Sequence, residues 1–176
     1  MNANATEMLR LFFALWPDDA TRTSLMQLQA LIRGRTVLYN NLHLTLAFLG
    51  PQPAAVLASA KEILTHLSSP ATSLTLDRLG YFTRKRLAWV GAHQVPDELV
   101  SLQKELRDGL LQRGITFDDR KDFKAHITLA RDASLPPDIV FDPIVWHASQ
   151  VALVQSATDD QGTAYRVLAS RSLDQR

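Results

Sequence analysis

The chain of 176 residues contains no cysteine. That absence excludes a disulfide framework, a thiolate nucleophile and any metal site built on sulfur. It also suits a reducing compartment. No apolar run approaches the ~20 residues that span a bilayer. The N-terminus has no basic stretch followed by an apolar run and a small-residue cleavage site, so we expect a soluble, cytoplasmic protein without a secretory signal. Neither G-x-x-x-x-G-K-[ST] nor G-x-G-x-x-G occurs, which leaves phosphate binding by a glycine-rich loop without support. No serine stands in a G-x-S-x-G turn, and no His-Glu-x-x-His helix is present. Low-complexity segments are missing too. Charge of one sign is not in excess: 19 Lys+Arg against 18 Asp+Glu give a formal +1.

What is present is a folding composition, 46% hydrophobic and 21% charged, as expected of a packed soluble core. One pentapeptide pattern occurs twice. His43-Leu44-Thr45-Leu46-Ala47 returns as His126-Ile127-Thr128-Leu129-Ala130. Apolar and polar residues alternate in both, the period of a strand. On a strand, residues i and i+2 face one side. Each copy therefore presents an imidazole and a hydroxyl to one face and aliphatic side chains to the other. Two such strands set together would gather two histidines and two threonines around one small anion.

The duplication extends upstream. Pro17-Asp18-Asp19, a helical stretch and Arg33-Gly34 precede the first motif. Pro96-Asp97-Glu98, another helical stretch and Arg113-Gly114 precede the second at nearly the same spacing. Acidic residues after proline suit a helix N-terminus, and glycine suits a helix end. The shared order points to a duplicated strand–helix–strand unit.

Along the chain the patterns predict strands over 8–16, 42–49 (stopped by Gly50-Pro51), 74–82, 87–92, 125–130, 145–156 and 164–172. Hairpins are expected around Arg84-Lys85 and at Asp159-Asp160-Gln161-Gly162. Helices are predicted over 18–33 (Leu25, Leu28, Leu31 and Ile32 inward), 54–67 and 97–113 (Leu99, Leu102, Leu106 and Leu110 inward). Residues 133–137 read as a loop, because the double proline denies helix and central strand. The sum is α+β, with seven or eight strands and three helices.

Histidine serves as acid or base near neutrality, and a phosphoryl centre needs mainly positioning and charge neutralisation. A neutral His would take a proton from an attacking oxygen, and a charged one would give a proton to the departing oxygen. Threonine hydroxyls would hold the non-bridging oxygens. A single His-x-Thr is ordinary strand chemistry; two in equivalent frames point to catalysis. His66, His93 and His147 lack this context and read as surface or strand-end residues. Basic residues cluster at Arg33/Arg35, at Arg84-Lys85-Arg86, and at Arg120-Lys121 with Lys124 and Arg131, as an anionic ligand would require. A zinc reading needs a carboxylate beside the two histidines. Neither motif contains one, and only Asp118, Asp119 or Asp122 stands near enough to approach.

The motifs with their flanks resemble the 2H phosphoesterase superfamily, and within it the bacterial RNA 2′,3′-cyclic phosphodiesterases, also called 2′-5′ RNA ligases. Leu9-Arg10-Leu11-Phe12-Phe13-Ala14-Leu15 resembles that family's opening strand. Asn41 to Gly50 resembles its first motif and Lys124 to Arg131 its second. Gly80-Tyr81-Phe82 and Arg86-Leu87-Ala88-Trp89-Val90-Gly91 resemble its middle segment. The resemblance implies one domain over residues 1–176, made of two similar lobes. Each lobe would have an antiparallel-rich sheet and flanking helices, with a pseudo-twofold axis and a central cleft. It implies opening of terminal 2′,3′-cyclic phosphates of RNA to 2′-phosphates, with no cofactor and no metal, and reversible ATP-independent 2′-5′ ligation as a side activity. It implies His43 as proton donor, His126 as proton acceptor, and Thr45 and Thr128 as phosphate ligands; the residues alone do not order the two histidines. The expected partner is RNA ending in a 2′,3′-cyclic phosphate, tRNA fragments included, with no membrane; a monomer is expected.

Arg131 also resembles a family arginine and is a candidate RNA contact. Ideal alternation puts it on the face opposite His126; a bulge at the strand end would bring it round. Phe48, Phe82 and Trp89 are candidate base-stacking rings. Two rival readings fit the same residues: a phosphodiesterase for another substrate, such as a 2′,5′-oligonucleotide or a cyclic nucleotide, and a non-catalytic module that grips RNA ends.

Overall fold

The computed structural model describes residues 7–119, 122–160 and 162–174. Arg120 and Lys121 of the third basic cluster, and Gln161 of the expected last turn, lie outside the described residues. The opening apolar run forms β1 (Met8–Leu15), and Pro17 ends it. Asp18 caps the next helix, α1 (Asp19–Gln29), accepting from the Thr21 N–H at 2.8 Å. The helix stops short of the predicted Arg33. Leu31 therefore leaves the inward stripe and stands exposed, while Leu25 and Leu28 are buried as expected.

A two-residue strand, β2 (Arg35–Thr36), precedes the first motif strand, β3 (Leu44–Pro53). β3 begins one residue after His43 and runs through Gly50-Pro51, where a stop was expected. Prolines 51 and 53 are tolerated because β3 meets β7 at Leu44↔Ile127 alone, so its outer part is paired to a strand only on the β1 side. The second predicted helix divides into a 3₁₀ turn at Ala54–Val56 and α2 (Leu57–Thr65). The strand expected over 74–82 is broken at Asp77 into β4 (Thr72–Leu76) and β5 (Arg78–Phe82). β5 alone makes the hairpin with β6 (Leu87–Gly91).

Helix α3 (Asp97–Gln112) buries Leu99, Leu102, Leu106 and Leu110 completely. Truncating any one of these leucines costs about 2–5 kcal/mol by general experience. The second motif strand is β7 (His126–Arg131). The long strand expected over 145–156 is two strands, β8 (Ile144–Ala148) and β9 (Gln150–Asp159), and β10 (Gly162–Ser172) pairs with β9. Alternation alone could not reveal the breaks at Asp77 and Ser149, because β4 and β8 keep the same in–out pattern while leaving the main sheet to pair with each other.

The main sheet runs β10-β9-β1-β3-β7-β6-β5, with β2 paired to β7. Every pairing is antiparallel. The two motif strands are thus neighbours in the middle of the sheet. Leu11, Phe13, Leu15, Leu44, Leu46, Val90, Ile127 and Leu129 face the principal core with the helix leucines and the buried Trp146 of β8. The opposite face bears a smaller cluster of Phe12, Ala14, Ala152 and Val154, packed by Trp16 and Tyr165. That face holds the motif histidines.

Candidate active site

Strand pairing sets the motif residues in a square. About the single pair Leu44↔Ile127, the antiparallel order directs His43 toward Thr128 and Thr45 toward His126. Leu44 and Ile127 are wholly buried on the other face. Outside this square the two strands repeat one irregularity. Phe13 pairs with Ala47 and Ala14 with Thr45, so Leu46 is an extra residue in β3. Ala88 pairs with Ala130 and Trp89 with Thr128, so Leu129 is the extra residue in β7. Each bulge falls on the leucine after the motif threonine and reverses the alternation beyond it. Ala47 and Ala130 are therefore buried, and Phe48 and Arg131 emerge on the histidine face. The bulge that sequence alternation could not locate is what carries Arg131 there.

The two histidines are held alike. Nδ1 of His43 lies 2.7 Å from the Asn41 carbonyl, and Nδ1 of His126 lies 2.7 Å from the Lys124 carbonyl. A carbonyl only accepts, so each Nδ1 carries its proton, and in the neutral ring each Nε2 is left as the basic nitrogen. Nε2 of His43 receives the Thr45 hydroxyl at 2.9 Å. Thr128 is half-buried opposite Trp89.

Aromatic rings fix both imidazoles. His43 meets Phe12 at 4.8 Å between centroids, Tyr165 edge-on at 5.2 Å, and Trp16 stacked at 6.1 Å. His126 meets Phe82 edge-on at 5.1 Å and Trp89 at 6.0 Å. Gly80 is required for this: a Cβ there would lie 2.0 Å from Cζ2 of Trp89. Of the predicted stacking rings, Phe82 and Trp89 brace His126, whereas Phe48 stands exposed under the Arg10 guanidinium. Phe12, Trp16 and Tyr165 were not anticipated. Tyr165 lies too far along the chain from His43 for any local pattern to join them.

Burial lowers His43 to about 4; the Asn41 carbonyl opposes this, and Arg131, Arg22 and His126 add to it. His126 is also lowered, by burial first, then by Lys85 and Lys124, against the Lys124 carbonyl. The face is thus electropositive, and burial and these cations shift both rings toward their neutral forms. A cavity of about 550 Å³ bounded by Trp16, Arg22, Tyr39, Asn40 and Tyr165 adjoins the His43 side.

The remaining histidines are elsewhere: His66 caps α2 on the surface, His93 pairs with Asp77 at 3.1 Å, and His147 bonds Ser73. Among the described residues, no group of three or more His, Asp or Glu is gathered in a metal-binding arrangement. Nor is any helix among them long and apolar enough to cross a membrane. A buried residue without chemistry of its own supports the second motif: Gln29 of α1 donates to the carbonyls of Leu129 and Val37, both at 2.9 Å.

Comparison with known proteins identifies the family. The sequence model of the 2′-5′ RNA ligase superfamily matches residues 17–160. The RNA 2′,3′-cyclic phosphodiesterase of Escherichia coli strain K12 is 36% identical over 140 residues, which is 75% of this chain and 79% of that protein. The crystal structure of E. coli LigT in apo form superposes with a TM-score of 0.84 at 31% identity, covering 97% of this chain and 100% of the other. The crystal structure of E. coli LigT complexed with 3′-AMP gives 0.82 at 31% identity and the same coverage.

Proposed function

The chain belongs to the 2′-5′ RNA ligase superfamily, and from that premise we propose how it acts as an RNA 2′,3′-cyclic phosphodiesterase. The strained ring of a terminal 2′,3′-cyclic phosphate enters between the two Nε2 atoms. The Nε2 lone pair of His126 takes a proton from water as its oxygen attacks phosphorus. The bond from phosphorus to O3′ breaks, and His43, charged at Nε2, gives its proton to O3′. The products are a 3′-hydroxyl and a 2′-phosphate. Thr45 and Thr128 donate to the non-bridging oxygens. Once a phosphate oxygen takes the Nε2–H of His43, the Thr45 hydroxyl is free to turn to the anion.

The observation that carries this reading is the pair of histidines, each anchored at Nδ1 by the carbonyl two residues earlier, on one face of two adjoining strands. This anchoring is what paired proton transfer needs, and a module that only binds RNA ends has no use for it. The low pKa of His43 fits the donor role only if the bound anion restores its proton. A phosphate beside the ring does so, because an opposite charge within a few ångströms favours the charged form. Arg131, exposed on the same face, would meet RNA phosphates, and the exposed Phe48 would stack a base. If an RNA 5′-hydroxyl replaces water, the same steps join two ends by a 2′-5′ linkage without ATP. The 3′-AMP complex of the E. coli relative supports a nucleotide as the ligand class.

The test uses a short RNA ending in a 2′,3′-cyclic phosphate, with EDTA present. Wild type should open the ring, and His43→Ala and His126→Ala should each lose about 10²–10⁴-fold, the usual weight of a general acid or base. A substrate with sulfur in place of the 3′ bridging oxygen separates the roles, since a thiolate leaves without a proton. It should rescue His43→Ala and not His126→Ala. Rescue of His126→Ala alone would reverse the assignment, and undiminished ring opening by both variants would end the two-histidine mechanism.

A further inference from the structure

Arg22 is among the most buried charged residues of the molecule, with 4% of its surface exposed. It belongs to α1, outside both motifs. Its Nε donates to the Pro17 carbonyl at 3.1 Å, and its Nη1 donates to the Tyr39 carbonyl. Its Nη2 is enclosed with no hydrogen-bond partner. Rings stand where a partner would be expected: the guanidinium carbon lies 4.9 Å from the centroid of Trp16 and 5.6 Å from that of Tyr39. Trp16 in turn stacks on His43 with 22° between planes. Trp16 thus lies next to both the guanidinium and the imidazole.

We propose that Arg22 is a positioning residue of the His43 site: it clamps Trp16 against the imidazole and supplies a fixed cation that makes charging of His43 conditional on a bound anion. The inference rests on the reading of His43 as a proton-transfer group, but its effect on that ring can be measured without turnover. The other ionisable groups around His43 are Arg131 and His126 of β7 and the Tyr165 phenol of β10. Arg131 acts on the ring more strongly than Arg22, but it is exposed, so added salt weakens it; Arg22 is shielded from salt. Asp18 and Asp19 lie near the guanidinium and offset part of its charge. Both are engaged, Asp18 with the Thr21 N–H and Asp19 with the Tyr39 hydroxyl at 2.6 Å. The effect on His126 should be negligible, because Lys85 and Lys124 are the cations acting there.

The experiment is an NMR titration of both histidines in about 0.5 M salt, which screens exposed charges, with wild type, Arg22→Gln and Arg22→Lys. Glutamine can still donate to a backbone carbonyl but drops the charge; lysine keeps the charge and loses the planar fork. We expect Arg22→Gln to raise the His43 midpoint by about half a pH unit or more, with His126 unmoved, and Arg22→Lys to restore the wild-type midpoint. A folded Arg22→Gln with an unchanged His43 midpoint would overturn the proposal, as would equal movement of both histidines, which signals general loosening. Should Arg22→Gln not fold, Arg22→Lys decides: a wild-type midpoint supports the charge, and a raised one refutes it. Inorganic phosphate added to wild type should raise the His43 midpoint, and its failure to do so would count against anion-conditional charging.

Discussion

At the residue scale, the two histidines of a duplicated motif owe their chemistry to backbone carbonyls, of Asn41 and Lys124, that sequence inspection does not single out. The pKa of His43 has a consequence for stability. Its folded value, about 4, lies below the unfolded value of 6.5, so between those pH values the unfolded chain binds the extra proton. Stability from this group is full above pH 6.5 and is lost as pH falls toward 4. With allowance for partial exposure of the residue, the loss is on the order of 2 kcal/mol. His43→Asn should therefore lose less stability than wild type between pH 7 and 4.5, measured by urea unfolding at each pH; equal losses would show that the imidazole is not the titrating group. Arg131 makes a different prediction at the same scale. If it meets an RNA phosphate, Arg131→Ala should reduce the slope of log affinity against log salt by about one, in binding titrations with an uncleavable RNA end.

At the scale of elements, Gly80 ties the β5–β6 hairpin to the site. A methyl group there collides with the indole of Trp89, which braces His126. Gly80→Ala should destabilise by about 1–3 kcal/mol and lower activity further by shifting the ring. Trp89→Leu in the same chain should recover much of the stability but not the activity. The sequence named both motif strands, the three helices and most core leucines, because their periods are local. It could not place the bulges at Leu46 and Leu129, although a bulge near Arg131 was one way to bring that side chain round, because one inserted residue leaves composition and average alternation unchanged. It also joined β4 to β5 and β8 to β9, since a strand changing sheets keeps its in–out pattern through the corner. Trp16 and Gln29 were illegible for another reason: their role is defined by what they touch across the fold.

At the scale of the molecule, the matched bulges, the matched Nδ1 anchors and the adjacency of β3 and β7 support two related halves meeting at the Leu44–Ile127 pair, which we propose as the plan of the fold. The backbone seam between those halves is one residue pair wide, and beyond it β2 takes the place of β3 along β7. We infer that the separation of the two histidine rings is consequently gauged by apolar side chains on the far side of the sheet, where Leu44, Leu46, Ile127 and Leu129 belong to the principal core. Those side chains act as a calliper, and its setting can be altered without touching the site. Ile127→Val removes one methylene and should cost about 0.5–1.5 kcal/mol of stability, yet lower kcat more than any equally destabilising change in α3, such as Leu106→Met. Equal effects on kcat would mean that the ladder, not the core, holds the histidines apart. A larger loss of kcat in Ile127→Val would mean that the distance between the two histidines is written in the hydrophobic volume of residues on the far side of the sheet.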